Sequence, residues 1–141
     1  MFIGEHFTPK RGLPSLTGSD LRRRGTAWVA REAADGSALG TVFLVEATSP
    51  FRQIAHDHEL EVHLMAVRRT ARRQGIADAL LEACLTEARL RTAPRVVLST
   101  QPIMVAAHAL YEKHGFTRLP DRDWVRSDNR TFLVYGLELA G

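Results

Sequence analysis

Residues 67–77 have the sequence V-R-R-T-A-R-R-Q-G-I-A. A valine ends an apolar run, four arginines occupy the turn that follows, and a helical pattern begins at Gly75. The first N–H groups of a helix lack intrahelical acceptors and the helix dipole is positive there, so this arrangement predicts an anion site. Gly75 would let the backbone approach the anion closely, and Arg72 and Arg73 would add bidentate phosphate donors. Taken alone, a basic turn of this kind is more often solvated surface.

The residues on either side of this turn predict a strand, a helix and a second strand. Residues 59–67 alternate between two faces, as a strand does, and residues 95–99 form a short apolar run. From Gly75 onward the apolar residues recur with a helical period. A strand, a helix and a strand in this order predict a right-handed parallel crossover. The buried face of this helix is predicted to hold Ile76, Ala77, Leu80, Leu81, Cys84 and Ala88.

Two further pairs of segments predict antiparallel hairpins. Residues 26–32 and 41–47 are rich in β-branched and aromatic residues and flank a turn that contains Asp-Gly. Residues 124–126 and 131–139 predict a closing hairpin across a Ser-Asp-Asn turn. The sequence therefore predicts antiparallel hairpins near the beginning and the end of the sheet, with a parallel pair of strands between them.

A second helix is predicted over residues 103–114. Pro102 suits a helix start and Gly115 suits the position after the last turn. Tyr111 lies on the flank of the predicted buried stripe. That stripe holds Ile103, Ala107, Leu110 and His114.

Residues 1–25 carry too many prolines and glycines for a long helix. We expect a shortened, irregular segment there, with at most a short helix over residues 19–24. The chain of 141 residues, 45% hydrophobic and 25% charged, fits a single domain over residues 1–141. The one cysteine, Cys84, excludes an internal disulfide and fits a reducing cytoplasm. We expect no membrane association, because no apolar run reaches the ~18 residues of a span and residues 1–20 lack a signal-peptide core.

The net charge of +3 is unevenly distributed. Arginines cluster in residues 68–73, whereas Asp57, Glu59 and Glu61 lie just upstream. A basic patch beside an acidic one suits a polyanionic cofactor next to a cationic acceptor. Nucleic acid is not an expected partner, because it would require a broader basic face. Residues 56–58, His-Asp-His, favour a loop over a ligand set, so no metal is expected.

Residues 72–77, R-R-Q-G-I-A, resemble the signature R/Q-x-x-G-x-G/A of the GNAT superfamily of acyl-CoA-dependent N-acetyltransferases. Residues 106–116, A-A-H-A-L-Y-E-K-H-G-F, resemble the family segment N-x-x-A-x-x-L-Y-x-x-x-G-F, with Tyr111 in place and Met104 where the asparagine stands. The tail P-D-R-D-W at residues 120–124 is similar to that of a bacterial GNAT subgroup.

The resemblance implies an α/β fold, with a mixed and mostly antiparallel sheet splayed into a V and flanked by helices. It implies an acyltransferase that moves an acetyl group from acetyl-CoA to a primary amine by direct attack in a ternary complex. The acceptor would be a small-molecule or peptide amine, and a homodimer could roof the site. The alternative is an acyl-CoA-binding or sensing module without turnover, which Met104 and the short front segment favour.

An amine must lose a proton before it attacks, so a proton acceptor is required. Glu61 is the first candidate for this base, and it matches the glutamate of the family pattern E-x-x-x-x-A-V/I; His63 and Glu59 share its face and are the alternatives. Tyr111 is the candidate acid for the departing thiolate. The plain structural interpretations are a solvated strand carboxylate for Glu61 and a packed tyrosine for Tyr111.

The resemblance also implies a bulge that splays residues 59–67 from residues 95–99. The unpaired backbone of Met65 and Val67 would then bind pantetheine. Because Met104 replaces the asparagine, its polar contact to the pantetheine amide would be lost, or Gln101 or His108 would supply it. The full set of implied cofactor-binding residues is Met65, Ala66, Val67, Arg72, Arg73, Gln74, Gly75, Ile76, Ala77, Ser99, Gln101, Met104, His108 and Tyr111.

Overall fold

The computed structural model describes residues 2–7, 15–21 and 25–139. The described strands, in chain order, are β1 (Phe2–Phe7), β2 (Ser15–Leu21), β3 (Gly25–Arg31), β4 (Ala38–Glu46), β5 (Leu60–Val67), β6 (Arg95–Thr100), β7 (Thr117–Arg118), β8 (Trp124–Val125) and β9 (Thr131–Glu138). The described helices are α1 (Ile76–Leu90), α2 (Val105–Lys113) and the single 3-10 turns Arg69–Ala71 and Pro120–Arg122. Among these helices, none combines the length and apolarity that crossing a membrane requires.

One mixed sheet connects all of these strands. Their order is β1-β2-β3-β4-β5-β6-β9-β7, and β8 also pairs with β9. The pair β5–β6 is parallel, and the other described pairs are antiparallel. The predicted fold class is therefore confirmed, as are the parallel crossover through α1 and both predicted hairpins. The last strand, β9, lies inside the sheet between β6 and β7.

The short helix predicted over residues 19–24 is wrong where the structure describes these residues. Residues 19–21, assigned to a short helix, lie in β2, and residues 22–24 lie outside the described ranges. β2 pairs with β3 without interruption from Ser15–Arg31 to Leu21–Gly25. A continuous ladder of backbone hydrogen bonds outweighs the weak local preferences of such a short segment.

Helix α1 packs across β3, β4 and β5. The predicted face is buried at Leu80, Leu81, Cys84 and Ala88, whereas Ala77 is half-buried. Burying each leucine side chain stabilises the fold by roughly 1.5–3 kcal/mol. This packing fixes the start of α1 against the end of β5, where the predicted anion site lies.

Helix α2 differs from its prediction at its start, whereas Ala107 and Leu110 of the predicted stripe pack against the core. It begins at Val105 rather than at residue 103, and Ile103 is 82% exposed instead of buried. The buried residue of the helix is Tyr111, whose ring packs 6.1 Å from that of Phe116 and 5.9 Å from that of Tyr135. This aromatic cluster sets the inward face, because three large rings bury more apolar area than one isoleucine at the helix start.

Candidate active site

Strands β5 and β6 separate after a short parallel ladder. They pair from Leu60–Val96 to Val62–Leu98. Beyond that point β5 changes register against β4, because three residue steps from His63 to Ala66 face two from Phe43 back to Thr41. This is the arrangement of a β-bulge, which bends a strand away from its neighbour. The bulge and the splayed strands expected from the sequence are both present.

A cleft of about 280 Å³ opens between the separated strands. Its walls are mostly apolar and carry a few polar groups, as is typical of small-molecule sites. The residues that line it are Gln53, Val62, His63, Met65, Leu98, Ser99, Thr100, Met104, Tyr111, Arg126 and Phe132.

Glu61 lies behind this cleft rather than in its wall. Its side chain is 1% exposed, and its carboxylate accepts hydrogen bonds from the backbone N–H groups of residues 53–55, at 2.8–3.2 Å. His63, which lines the cleft, contacts Glu61 Oε2 through Nε2 in a short hydrogen bond. The interpretation of Glu61 as a solvated carboxylate is therefore wrong, because its charge is buried and its lone pairs are used within the protein.

These contacts also set the proton affinity of Glu61. Burial by itself raises the pKa of the carboxyl, but hydrogen bonds from His63 and from the Ile54 and Ala55 amides outweigh it and hold the pKa below its ordinary value. A carboxylate with a lowered pKa is a weak base. A His63 tautomer with its proton on Nε2 donates to this carboxylate and leaves Nδ1 as the acceptor nitrogen of the ring.

Glu59, the other alternative base, is also occupied within the fold. Its carboxylate accepts hydrogen bonds from Arg122 at 2.9 and 3.0 Å and from Arg95 at 3.2 Å. Burial by itself raises the pKa of Glu59, but the hydrogen bonds from Arg122 and from the His56 amide outweigh burial and hold the pKa below its ordinary value. Glu59 is not among the residues that line the cleft.

Tyr111 lines the cleft from the side of α2 and is 7% exposed. Burial raises the pKa of its hydroxyl above the ordinary value. The group is therefore protonated at neutral pH, as a proton donor must be. His63 and Tyr111 thus face one cavity.

A second pocket, the socket, lies where β5 turns into α1. It measures about 130 Å³ and is lined by Val67, Ala71, Arg72, Arg73, Gly75, Ile76, Ala77 and Asp78. Gly75 is the N-cap of α1 in the left-handed conformation, with φ 77°. The first N–H groups of α1 have no intrahelical acceptor and are available to an anion here. The carboxylate of Asp78 is paired with Lys113 and His114, both at 2.8 Å, so it does not cancel the positive potential.

The structure thus divides the predicted cofactor-binding residues into three groups. The cleft holds Met65, Ser99, Met104 and Tyr111. The socket holds Val67, Arg72, Arg73, Gly75, Ile76 and Ala77. Neither pocket is lined, within the described ranges, by Ala66, Gln74, Gln101 or His108.

The sequence model of the Acetyltransferase (GNAT) family matches residues 4–116, which is most of the chain. The chain belongs to the GNAT family of acetyltransferases. N-acetylaspartate synthetase of Rattus norvegicus is 36% identical over 96 residues, covering 68% of this chain and 29% of the relative. N-acetyltransferase 8 of Homo sapiens is 32% identical over 107 residues, covering 75% of this chain and 45% of the relative. The chain spans less than half the length of each of these relatives.

Solved structures of GNAT proteins share this fold. IAA acetyltransferase from Bacillus cereus ATCC 14579 superposes with a TM-score of 0.66 at 22% identity, covering 82% of this chain and 79% of that chain. An N-acetyltransferase from Staphylococcus aureus Mu50 gives 0.68 at 24% identity, with 84% and 70% covered. The NatC complex bound to Gag peptide and CoA gives 0.66 at 20% identity, with 81% and 71% covered.

At the position of the GNAT asparagine, Met104 lines the cleft and is half exposed. Its expected substitutes, Gln101 and His108, do not line the cleft. Instead, His108 Nε2 donates a hydrogen bond to the backbone carbonyl of Gln101 at 3.0 Å. A different hydroxyl is present in the cleft wall. Thr100 is buried, and its Oγ1 has no hydrogen-bond partner among the described residues.

The tail at residues 120–124 proves to be a structural brace. Arg122 binds both oxygens of Glu59 and donates to the Ile54 carbonyl at 2.7 Å, which ties the tail to the loop that encloses Glu61. Trp124 Nε1 donates to Ser99 Oγ at 2.9 Å in the cleft wall. The sequence alone assigned no role to this tail. It also missed Gln53, Thr100, Arg126 and Phe132 as cleft residues, because the polarity of a loop or hairpin residue does not show which cavity it faces.

The buried contacts of Glu61 predict a pH-dependent contribution to stability. Its folded pKa lies below the ordinary 4.5, so its contribution is present above that pH and is lost as pH falls through the folded pKa. We expect Glu61→Gln to lower the free energy of unfolding by about 2–4 kcal/mol at pH 7 and by less in acid, since the protonated wild type resembles the amide. Urea unfolding at several pH values measures this.

The matched control is Glu46→Gln, since the Glu46 side chain is 58% exposed. That substitution should change stability by no more than about 0.5 kcal/mol. An equal loss for Glu61→Gln at neutral and acid pH would contradict the buried-carboxylate interpretation.

Proposed function

We propose that this protein is an acyl-CoA-dependent N-acetyltransferase that transfers an acetyl group from acetyl-CoA to a primary amine. One observation carries the proposal: Met65 lines the cleft and Val67 lines the socket, two residues further along the same strand. Two residues of strand span about 7 Å. A molecule with a diphosphate at one point and a flexible thioester arm can therefore occupy both pockets along the edge of β5.

The chain's own groups fit coenzyme A. The N-terminal amides of α1, Gly75 with no Cβ in the way, and the guanidinium groups of Arg72 and Arg73 would hold the diphosphate. The β5 edge beyond Val62 has no β6 partner, so its backbone groups are free to pair with the amides of the pantetheine arm. Acetyl-CoA then supplies a thioester whose carbonyl carbon forms the new C–N bond while the C–S bond breaks.

Nitrogen as the acceptor atom is supported by the relatives. The name of the human relative, N-acetyltransferase 8, and that of the rat relative, N-acetylaspartate synthetase, both describe N-acetylation. The CoA in the NatC structure supports the same donor for this fold. Membership of the family supports acetyl transfer, and the names of these relatives support an amine as the acceptor.

His63 is placed to remove the proton from the attacking amine. It lines the cleft, and its contact with Glu61 would hold the ring with Nε2–H toward the carboxylate and Nδ1 as the basic atom. Glu61 would then act through His63, as a positioning group and as a counter-charge for the imidazolium. Direct base catalysis by Glu61 would require it to leave its cage of backbone amides.

Tyr111 would protonate the departing sulfur. Its hydroxyl is protonated at neutral pH and its ring is fixed by packing against Phe116 and Tyr135. The proton balance closes, because His63 accepts one proton from the amine and Tyr111 gives one to the thiolate. A homodimer and a cytoplasmic location remain predictions of the sequence.

The socket is tested by placing a negative charge in it. Gly75→Glu should weaken CoA binding about 100-fold or more, because the carboxylate would repel the diphosphate and fill its place. Gly36→Glu is the matched control, since Gly36 has nearly the same backbone conformation, with φ 73°, in an exposed turn. Isothermal titration with CoA measures both. Unchanged affinity in Gly75→Glu would mean that the diphosphate binds elsewhere.

Removal of the base should slow the chemical step. His63→Ala should lower the single-turnover rate by about 10²–10⁴ with CoA affinity unchanged, and acceptors that are already unprotonated at neutral pH should lose less. The exposed His56 provides the control substitution, His56→Ala. If wild-type protein binds acetyl-CoA but transfers to no amine and shows no thioester hydrolysis, the alternative of a binding or sensing module is correct.

Removal of the acid should leave the fold intact. Tyr111→Phe keeps the ring contacts and should lower kcat by about 10–100-fold, with a change in unfolding free energy below about 1 kcal/mol. The control is Tyr135→Phe, because Tyr135 belongs to the same ring cluster but its hydroxyl donates to Glu112 outside the cleft. Equal rates for the two variants would remove Tyr111 from the mechanism.

A further inference from the structure

The cleft carries one permanent charge, and that charge is positive. Of the described residues that line it, Arg126 is the one with a fixed charge, because a guanidinium stays protonated throughout the neutral pH range. No carboxylate is among these lining residues. A cleft of this kind attracts an anionic group and gives no counter-charge to a second cation on the acceptor.

The acidic residues that the sequence associated with a cationic acceptor are occupied elsewhere. Glu61 is enclosed by backbone amides and His63, and Glu59 is paired with Arg122 and Arg95. Asp57 is exposed in the loop before β5 and does not line the cleft. Glu59 and Glu61 therefore support the fold, and none of the three acidic residues lines the cleft.

Arg126 is held in a fixed orientation at the rim of the cleft. Its Nε and Nη2 donate to the carboxylate of Asp128 at 3.1 and 2.7 Å, and its guanidinium carbon lies 5.1 Å from the centre of the Phe132 ring. Phe132 is itself stacked on Trp124 at 4.7 Å. The third nitrogen, Nη1, takes part in neither of the bonds to Asp128.

Asp128 does not neutralise this corner of the hairpin. Arg130 also contacts its carboxylate, at 3.5 Å, so two guanidinium groups share one anion. The hydrogen bond from Arg126 lowers the pKa of Asp128 to about 2, so the carboxylate is always ionised and the local sum is one positive charge. A carboxylate on a bound ligand would balance this charge by accepting a hydrogen bond from Arg126 Nη1, which Asp128 does not bind.

We infer that the acceptor is an amine that carries a carboxylate in the same molecule, as a free amino acid does. Its carboxylate binds Arg126, its amine points to His63, and Phe132 supports an apolar side chain. This inference rests on the proposed function. During transfer the amine gains a bond to the acyl carbon and gives its proton to His63, the C–S bond breaks, and the acceptor carboxylate stays ionised and unchanged.

The test compares acceptors that differ only at the carboxylate. Each trio consists of an amino acid, its amide and its decarboxylated amine, built on alanine, leucine and phenylalanine. We expect wild-type kcat/KM to favour the acid by about tenfold or more over the amide and the amine, mainly through KM. The amide has the less basic amine, which by itself favours attack at neutral pH, so a preference for the acid over the amide cannot come from amine reactivity. The decarboxylated amine is more basic than the acid, so the ratio of acid to amine is compared between variants.

Variants assign the preference to Arg126. Arg126→Gln should lower the ratios of acid to amide and of acid to amine about tenfold or more relative to wild type, and Arg126→Lys should give intermediate ratios because it keeps the charge but loses the planar fork of donors. Arg89→Gln removes the same charge from an exposed position on α1 outside the cleft and should keep the wild-type ratios. Comparing each ratio between variants cancels differences in amine basicity, and the wild-type trio remains decisive if Arg126→Gln does not fold.

Each outcome decides the inference. Equal use of acid and amide by wild type, or ratios that are the same in Arg126→Gln as in wild type, overturn the carboxylate assignment while the transferase proposal stands. CoA binding without turnover of any trio also overturns it and leaves the donor site in place. Failure to bind CoA overturns both proposals.

Discussion

The separation of β5 from β6 is the constraint on which the site depends. Backbone N–H and C=O groups inside a sheet are normally paired, and leaving them unpaired costs free energy. Here the parallel ladder ends at Val62–Leu98 while both strands continue. A ligand that presents amide groups along that edge can replace the missing strand. Beyond the end of this ladder, the backbone groups on the open edge of β5 are therefore available to a ligand. The cleft and the socket both lie along this strand.

Buried charge holds this opening in shape. Glu61 gathers three backbone amides of the preceding loop, and Glu59 joins that region to Arg122 in the tail. A buried carboxylate is tolerated only when hydrogen bonds replace its water, so loop, strand and tail are interdependent. The same contacts orient His63 toward the cleft. Glu61, the residue with the strongest sequence signal for base chemistry, is therefore held in the fold and contacts His63, its neighbour two positions later.

Much of the architecture could be predicted from the sequence, because strong periodicity and turn chemistry act locally. The parallel crossover, both hairpins, the α1 face and the glycine at the socket follow from such patterns. The failures have tertiary causes: β2 forms through pairing with β3, and Tyr111 rather than Ile103 is buried because its ring packs in a cluster that includes Tyr135. Arg126 and Phe132 could not be assigned to the cleft, because only the packing of Trp124 against Ser99 and Phe132 decides which way that hairpin faces.

The position of β9 has a consequence for folding during synthesis. It follows β7 and β8 in the chain, yet it lies between β6 and β7 and aligns residue by residue with β6 from Arg95–Glu138 to Thr100–Leu133. During synthesis, this edge of β6 is unpaired until β9 has left the ribosome. The nascent polypeptide therefore passes through a stage at which the earlier strands are available but the sheet is incomplete. Exposed strand edges are prone to aggregation, so this side of the sheet is protected only after β9 has paired.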